Sequence, residues 1–209
     1  MAKKLKLGFY DNIESDGTMP PKEEHLARLR ECVNVTRIEL VMSDDGGDSD
    51  SEDEEDTDEP RPSMASAWKN FLEVHLPAMG ANYPSVTCLQ FSSRFDTLVP
   101  LGTITHILAC FPGLEVLKIQ GNMILSDDGV RSSHVPPARL HTMQLHGAEG
   151  TWRFFFDWLA ALPVLPPVKT LELSNLTEKD QTSLHAYTQR AGHRFESIPS
   201  YAWLTTTRR

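Results

Sequence analysis

Residues 114–119 read LEVLKI, an apolar-x-x-apolar-x-apolar frame that recurs along the chain. The other copies are VTRIEL from Val35, VTCLQF from Val86, LHTMQL from Leu140, VKTLEL from Val168 and a weaker FESIPS from Phe195, whose sixth position is polar. The last four intervals are 28, 26, 28 and 27 residues. A repeat of roughly 20 to 50 residues marks a stacked architecture, because each unit is too small to bury its apolar face alone and shares it with its neighbours. Within the frames the apolar fourth and sixth positions alternate with Arg37 and Glu39, Gln90, Lys118, Gln144 or Glu172. That period of two, in segments rich in Val, Ile, Leu and Thr, predicts a short strand at every copy.

Parallel strands need crossovers, and the intervals read as helices over residues 22–32, 66–79, 103–110, 151–162 and 178–190. In the fourth of these, Phe155, Trp158, Leu159 and Leu162 fall at i, i+3, i+4 and i+7, one apolar stripe for the sheet. In the fifth, Thr177 with Asp180 three residues on reads as a capped start, and Gly192 as a stop. Pro84, Pro112-Gly113, Pro136-Pro137 and Pro166-Pro167 punctuate the strand entrances, where helices cannot continue. Residues 125–137 are poor in apolar side chains and predict a loop. Leu5 and Leu7 keep the spacing of positions 4 and 6, with Ala2 at position 1, so one more strand is expected ahead of Val35. An array opening at Met1 without a polar cap predicts a piece of a longer protein or an exposed N-terminal edge.

The interval from Val35 to Val86 is 51 residues, and its excess is SDDGGDSDSEDEEDTDE, residues 43–59, with eleven acidic residues and no basic one. The net charge of −9 is therefore one local insertion, and the rest of the chain is slightly basic. Without apolar residues the stretch cannot offset its ordering entropy by burial, which predicts a disordered loop over 43–63. The expected organisation is a single domain: first repeats in 1–42, the acidic insertion in 43–63, and the remaining repeats in 64–209.

No segment approaches the roughly 18 to 20 apolar residues of a membrane span. The start, MAKKLKLGFYDN, lacks the apolar run and cleavage site of a secretory signal. A soluble protein of cytoplasm or nucleus is expected, with no membrane partner. Cys32, Cys88 and Cys110 are an odd set without a CxxC pair, so they read as reduced, small buried hydrophobes.

The stretch from Leu114 to Ile124, LEVLKIQGNMI, fits LxxLxLxxNxL at every marked position with Ile standing in for Leu, and VKTLELSNL from Val168 nearly fits, its Asn175 one position early. The chain thus resembles leucine-rich repeats over most of its length. The period near 27, the "FPxLExLxI" and "PPxxxTLxLSN" strand entrances and Trp158-Leu159 are similar to the C-terminal region of fungal F-box-type leucine-rich-repeat proteins. The resemblance implies an α/β solenoid with a parallel sheet of about six to seven short strands and helices on the convex side. In that family the repeats resemble substrate receptors. The F-box itself, beginning with a Leu-Pro pair, has no match, so binding to a ligase scaffold is not implied.

Candidate chemistry is sparse. His106 and Cys110 stand four apart on an expected helix, a spacing two metal ligands can share, but two ligands are not a site. His141 and His146, five apart around one strand, project to opposite faces. Asp48, Asp50 and Glu52 alternate as in a calcium loop, yet Asp53 stands where glycine is needed. Nucleotide, hydrolase and metalloprotease fingerprints are absent from the sequence, so no cofactor, metal or catalytic residue is expected and the chain does not read as an enzyme. Trp152–Trp158 reads as core, with Phe154 the member to point outward. Ser49 and Ser51, each with an acidic residue three positions on, are candidate phosphorylation sites.

If the strands stack, positions 3, 5 and 7 face outward, and the candidate protein-binding face is Arg37, Glu39, Gln90, Lys118, Gln120, Thr142, Gln144, His146, Thr170 and Glu172, with Cys88 and Val116 among them. Its mixed polarity suits a protein and not a nucleic acid, which needs a basic stripe. A non-catalytic protein-interaction module, similar to the receptor half of an F-box protein, is the leading expectation. The alternative is an acidic leucine-rich nuclear-type protein, whose acidic loop binds basic proteins such as histones.

Overall fold

The alternation that predicts strands from the sequence is realised as one parallel sheet. A computed structural model of the chain describes residues 3–10, 35–43, 71–127 and 133–192. Six strands, β1 (Lys3–Tyr10), β2 (Val35–Ser43), β3 (Cys88–Pro100), β4 (Val116–Ser126), β5 (Thr142–His146) and β6 (Thr170–Leu173), lie side by side in chain order. All five pairings are parallel, and β1 and β6 are the edges of an open sheet among the described residues.

Among the described residues, three helices lie in crossovers, α1 (Leu76–Asn82), α2 (Leu101–Cys110) and α3 (Trp152–Ala161), and α4 (Glu178–Ala191) follows β6. A π-helical turn, Phe71–His75, precedes α1, where Pro77 has no N–H to return to the carbonyl of Glu73. The expected helix over 22–32 and the strand from Phe195 lie outside the described residues, as does most of the acidic stretch. Ser43, the first residue of that stretch, still belongs to β2. The described residues of 125–137 contain no helix, and β4 runs to Ser126.

The frame's positions 1, 4 and 6 form the inner face of the sheet. Val35, Ile38 and Leu40, Val86, Leu89 and Phe91, Leu114, Leu117 and Ile119, Leu140, Met143 and Leu145, and Val168, Leu171 and Leu173 are each between 0% and 4% exposed. They join one core with Ile104, Ile107 and Leu108 of α2 and Trp152, Phe155, Phe156 and Leu159 of α3. At about 1.5–3 kcal/mol for each large side chain, these rows outweigh any single polar contact in the molecule. The apolar stripe of α3 is wider than its sequence spacing suggests, since Trp152 and Phe156 are also fully buried.

Register is set identically at every strand entrance. The carbonyl at position 2 of one frame accepts from the N–H groups at positions 2 and 3 of the next. Thr87 O accepts from Glu115 and Val116 at 2.8 and 2.9 Å, Glu115 O from His141 and Thr142 at 3.0 and 3.1 Å, and His141 O from Lys169 and Thr170 at 2.8 and 3.0 Å. Ahead of three frames a turn closes by an N–H three residues on, Val86 to Tyr83 O, Leu114 to Phe111 O and Leu140 to Pro137 O, whereas Val168 donates to Pro166 O two residues back. In the first two the proline occupies the second turn position, for which its fixed φ is preset. Leu5 pairs with Ile38 and Leu7 with Leu40, so the expected N-terminal strand carries the frame in register.

Two local devices depart from the repeat. β3 and β4 continue pairing beyond the frame, from Thr97↔Met123 to Pro100↔Ser126, after a register shift that leaves Arg94, Phe95 and Asp96 opposite Asn122. The buried hydroxyls of Ser93 and Thr97 meet at 2.9 Å across this bulge. Gly121, at φ +87°, lies so close to Ser93 that an added Cβ would sit 1.8 Å from its carbonyl oxygen. The second device is Asp180, 0% exposed at the third position of α4. Its Oδ2 accepts from Thr177 N and Oγ1 at 2.8 and 2.6 Å, completing a capping box, while Oδ1 accepts from Arg153 N of α3 at 2.7 Å. One carboxylate therefore satisfies N–H groups at two helix starts, where the helix dipoles favour negative charge.

Gly121→Ala is expected to cost about 2 kcal/mol or more, from backbone strain and the clash together, in urea unfolding. Gly150→Ala has the same kind of φ, +74°, but the new Cβ meets only Thr177 Cγ2 at an ordinary 3.7 Å, and the change is expected to cost about 1 kcal/mol. Equal losses would show that the approach of β3 to Gly121 is not a constraint. Asp180→Ala, which orphans donors of both helices, is expected to cost about 2–4 kcal/mol, against a smaller loss for Asp180→Asn. A loss below about 1 kcal/mol for the alanine variant would refute the double cap.

Candidate functional site on the open face of the sheet

Because the inner face takes positions 1, 4 and 6, positions 3, 5 and 7 are forced to the opposite face. The register brings residues far apart in sequence into rows. Position 5 gives Lys6, Glu39, Gln90, Lys118, Gln144 and Glu172, neighbours at about 4.8 Å spacing. Position 3 gives Lys4, Arg37, Cys88, Val116, Thr142 and Thr170, and position 7 adds Ser92, Gln120 and His146. All ten candidate residues from the sequence fall on this one face.

They do not contribute alike. Glu39 is only 9% exposed and is ion-paired with Lys4. Gln90, 7% exposed, accepts from Arg37 and donates from Nε2 to Gln120 at 3.2 Å and Ser92 at 3.3 Å. Toward the other edge, Gln144 Nε2 donates to Glu172 at 2.8 Å, and His146 stands 4.0 Å from the same carboxylate. Thr142 Oγ1 lies 3.0 Å from His141 Nδ1, and Thr170 is half-buried beside it on β6. Two networks thus tie β1–β4 and β5–β6 across the face, and Glu39 and Gln90 lie in its outward row but are covered by their neighbours.

Lys118 stands between the two networks on β4, half-buried, and has no ion-pair partner among the described residues. Its row neighbours Gln90 and Gln144 donate to Gln120 and Glu172. Beyond the bulge, Leu98 pairs with Ile124 on the same outward side of β3 and β4. Leu98 is 67% exposed and Ile124 half-buried. Sequence reasoning missed this apolar pair. The alternation in Thr97-Leu98-Val99 was a usable signal, hidden by the polar residues that separate it from the frame.

Cys88 lies in the same face, half-buried instead of fully buried as its sequence context suggests, and so is Cys110. Burial raises the Cys88 thiol pKa, and the positive charges of Arg37 and Lys118 partly oppose the rise. Cys110 is raised by burial alone.

Other sequence candidates do not converge. His106 Nε2 is 4.0 Å from Cys110 Sγ, and its ring lies 4.9 Å from that of His134. Among the described residues no group of three or more His, Cys, Asp or Glu is placed to hold a metal ion. His141 and His146 pair separately, with Glu115 and Glu172. The aromatic run of α3 is core except for Phe154, half-buried under the Arg153 guanidinium at 4.3 Å. An open depression of about 510 Å³ at Gly150, Arg153, Thr177, Glu178 and Lys179 lies between the starts of α3 and α4, where Asp180 already occupies the anion position. Ser49, Ser51 and Cys32 lie outside the described residues.

Comparison of the chain with protein-family models, with curated proteins and with solved structures finds no match. Among the described residues no helix is long and apolar enough to cross a membrane.

Alkylation of Cys88 by iodoacetamide, followed site by site with mass spectrometry, is expected to rise with pH above the range of an ordinary thiol. Lys118→Ala and Arg37→Ala remove charges that favour the thiolate, so each is expected to slow Cys88 alkylation at pH 8.5 by about two-fold or more while leaving Cys110 unchanged. Unaltered Cys88 rates would show that neither cation faces the thiol.

Proposed function

We propose that the chain is a non-catalytic protein-interaction module, a leucine-rich-repeat-like solenoid that binds a protein through the open face of its sheet. The observation that carries this reading is the contrast between the two faces. One is sealed by helices, whereas the other presents rows of half-buried polar side chains fixed by cross-strand hydrogen bonds. Side chains held in place before binding lose little conformational entropy when a partner arrives, which favours recognition by a rigid surface. The receptor-like part of an F-box protein fits the same surface, with its partner a protein of cytoplasm or nucleus. The acidic stretch adds a second polyanionic element, but nothing in the described residues favours it over the face as the binding element.

A photo-crosslinking residue placed at Thr142, on the open face, is expected to capture a discrete set of proteins that the same residue at Ala186, exposed on α4, does not. Equal capture from both positions, or none from Thr142, counts against the module. Thr142→Arg on the unmodified chain is expected to abolish competition for that capture, because a long charged side chain there displaces the partner.

A further inference from the structure

We infer that the β1–β4 half of the open face binds an extended acidic segment of a protein partner that also carries an aliphatic anchor. This inference rests on the reading of the face as a protein-binding surface and assigns its partner a chemistry. Three observations carry it: the charge of this half, a Lys118 without an ion-pair partner among the described residues, and an exposed Leu98 beside the half-buried Ile124.

Lys4, Lys6, Arg37 and Lys118 all belong to positions 3 and 5, with Glu39 the only acid among them on β1–β4. Glu39 is already spent on Lys4, with Arg37 3.9 Å away. Lys6 is exposed and, like Lys118, has no ion-pair partner among the described residues. Beside Lys118, Gln90 Oε1 already accepts from Arg37 and Gln120 Oε1 from Gln90, so the lysine's ammonium donors are available to an incoming carboxylate at small reorganisation cost. The β5–β6 half has the opposite character, with Glu172 facing out beside Gln144. An acidic segment is therefore steered to one half and repelled from the other.

The second determinant separates a partner from a simple polyanion. Lys118 and Ile124 lie on the same strand, both half-buried, no more than about 20 Å apart at the usual rise per residue. An extended segment that sets carboxylates against Lys118 and Arg37 reaches Leu98 and Ile124 within a few residues. A polyanion has nothing to bury there. The chain's own acidic stretch, residues 43–59, likewise contains no apolar residue, so it matches the charge of the face and lacks the anchor.

The test uses the full chain and fluorescein-labelled synthetic peptides read by anisotropy. One peptide carries a run of Asp and Glu followed by a short Gly-Ser spacer and Leu-Ile, made in both orders. A second replaces Leu-Ile with Ser-Ser, and a third has the sequence of residues 48–59. The better order of the first peptide is expected to bind about ten-fold more tightly than either comparator. Lys118→Glu is expected to weaken it about ten-fold or more, and Leu98→Ser about three-fold or more, whereas Gln189→Ala on α4 changes nothing. Thermal melting checks that each variant is folded, and Lys118→Gln, polar and uncharged, is expected to fall between wild type and Lys118→Glu. Binding should weaken several-fold as salt is raised to 0.5 M.

Equal affinity for all three peptides, or equal displacement by polyphosphate, would reduce the face to a general anion attractor and overturn the proposal. So would peptide binding that appears only after residues 43–59 are deleted and shows no preference for Leu-Ile, which would make the chain's own acidic stretch the occupant. Loss of every peptide effect while Thr142 crosslinking still captures partners overturns the acidic segment alone. Failure of both overturns the binding face as well.

Discussion

The molecule depends on keeping one register across strands that are distant in sequence. In every frame the side chains at positions 1, 4 and 6 must enter the core together, and a slip of one residue would turn all of them to the opposite face. The doubly accepting carbonyl at position 2, repeated at Thr87, Glu115 and His141, fixes that register at the strand entrance. Turns containing proline deliver the chain to Val86, Leu114, Leu140 and Val168. The helices need no matching of their own: they have only to cover an inner face that the strands have already aligned.

The same constraint builds the opposite face. Residues that are fixed to alternate with the core rows must line up with one another, so Lys6, Glu39, Gln90, Lys118, Gln144 and Glu172 become one row across six strands. Charge and hydrogen bonding then sort that row. Glu39 disappears beneath Lys4, Gln90 is held among Arg37, Ser92 and Gln120, and Glu172 accepts from Gln144. Lys118 is left between two satisfied groups. The eleven acidic residues inserted between β2 and β3 do not disturb this order, because Arg37 through Met42 still pair with Cys88 through Ser93.

What could be read from the sequence was whatever repeats. The five frames with apolar sixth positions, the N-terminal strand at Leu5 and Leu7, and the capped start of α4 at Thr177 all follow from local patterns of apolar spacing or turn chemistry. Contacts between repeats were not legible. Asp180 is readable as a partner of Thr177, but its bond to Arg153 of another helix belongs to tertiary packing. The asparagines show the same limit. Asn122, placed by the consensus spacing, is exposed, whereas Asn175, one position early, adopts φ 57° and donates to the Gly147 carbonyl at 2.9 Å. Moving by one position changed which backbone carbonyl the amide could reach, and only the fold reveals that the displaced residue makes the tie.

The departures from the repeat are where the face acquires an identity. A frame of constant register yields an outward surface of similar rows, and similarity alone cannot discriminate partners. Between β3 and β4, two extra residues and the tight approach at Gly121 break the register once, then pairing resumes from Thr97 onward. That break extends both strands beyond the frame and turns Leu98 and Ile124 outward. The repeat therefore supplies a polar surface with a charge gradient, and the bulge adds to it the exposed Leu98 beside the half-buried Ile124.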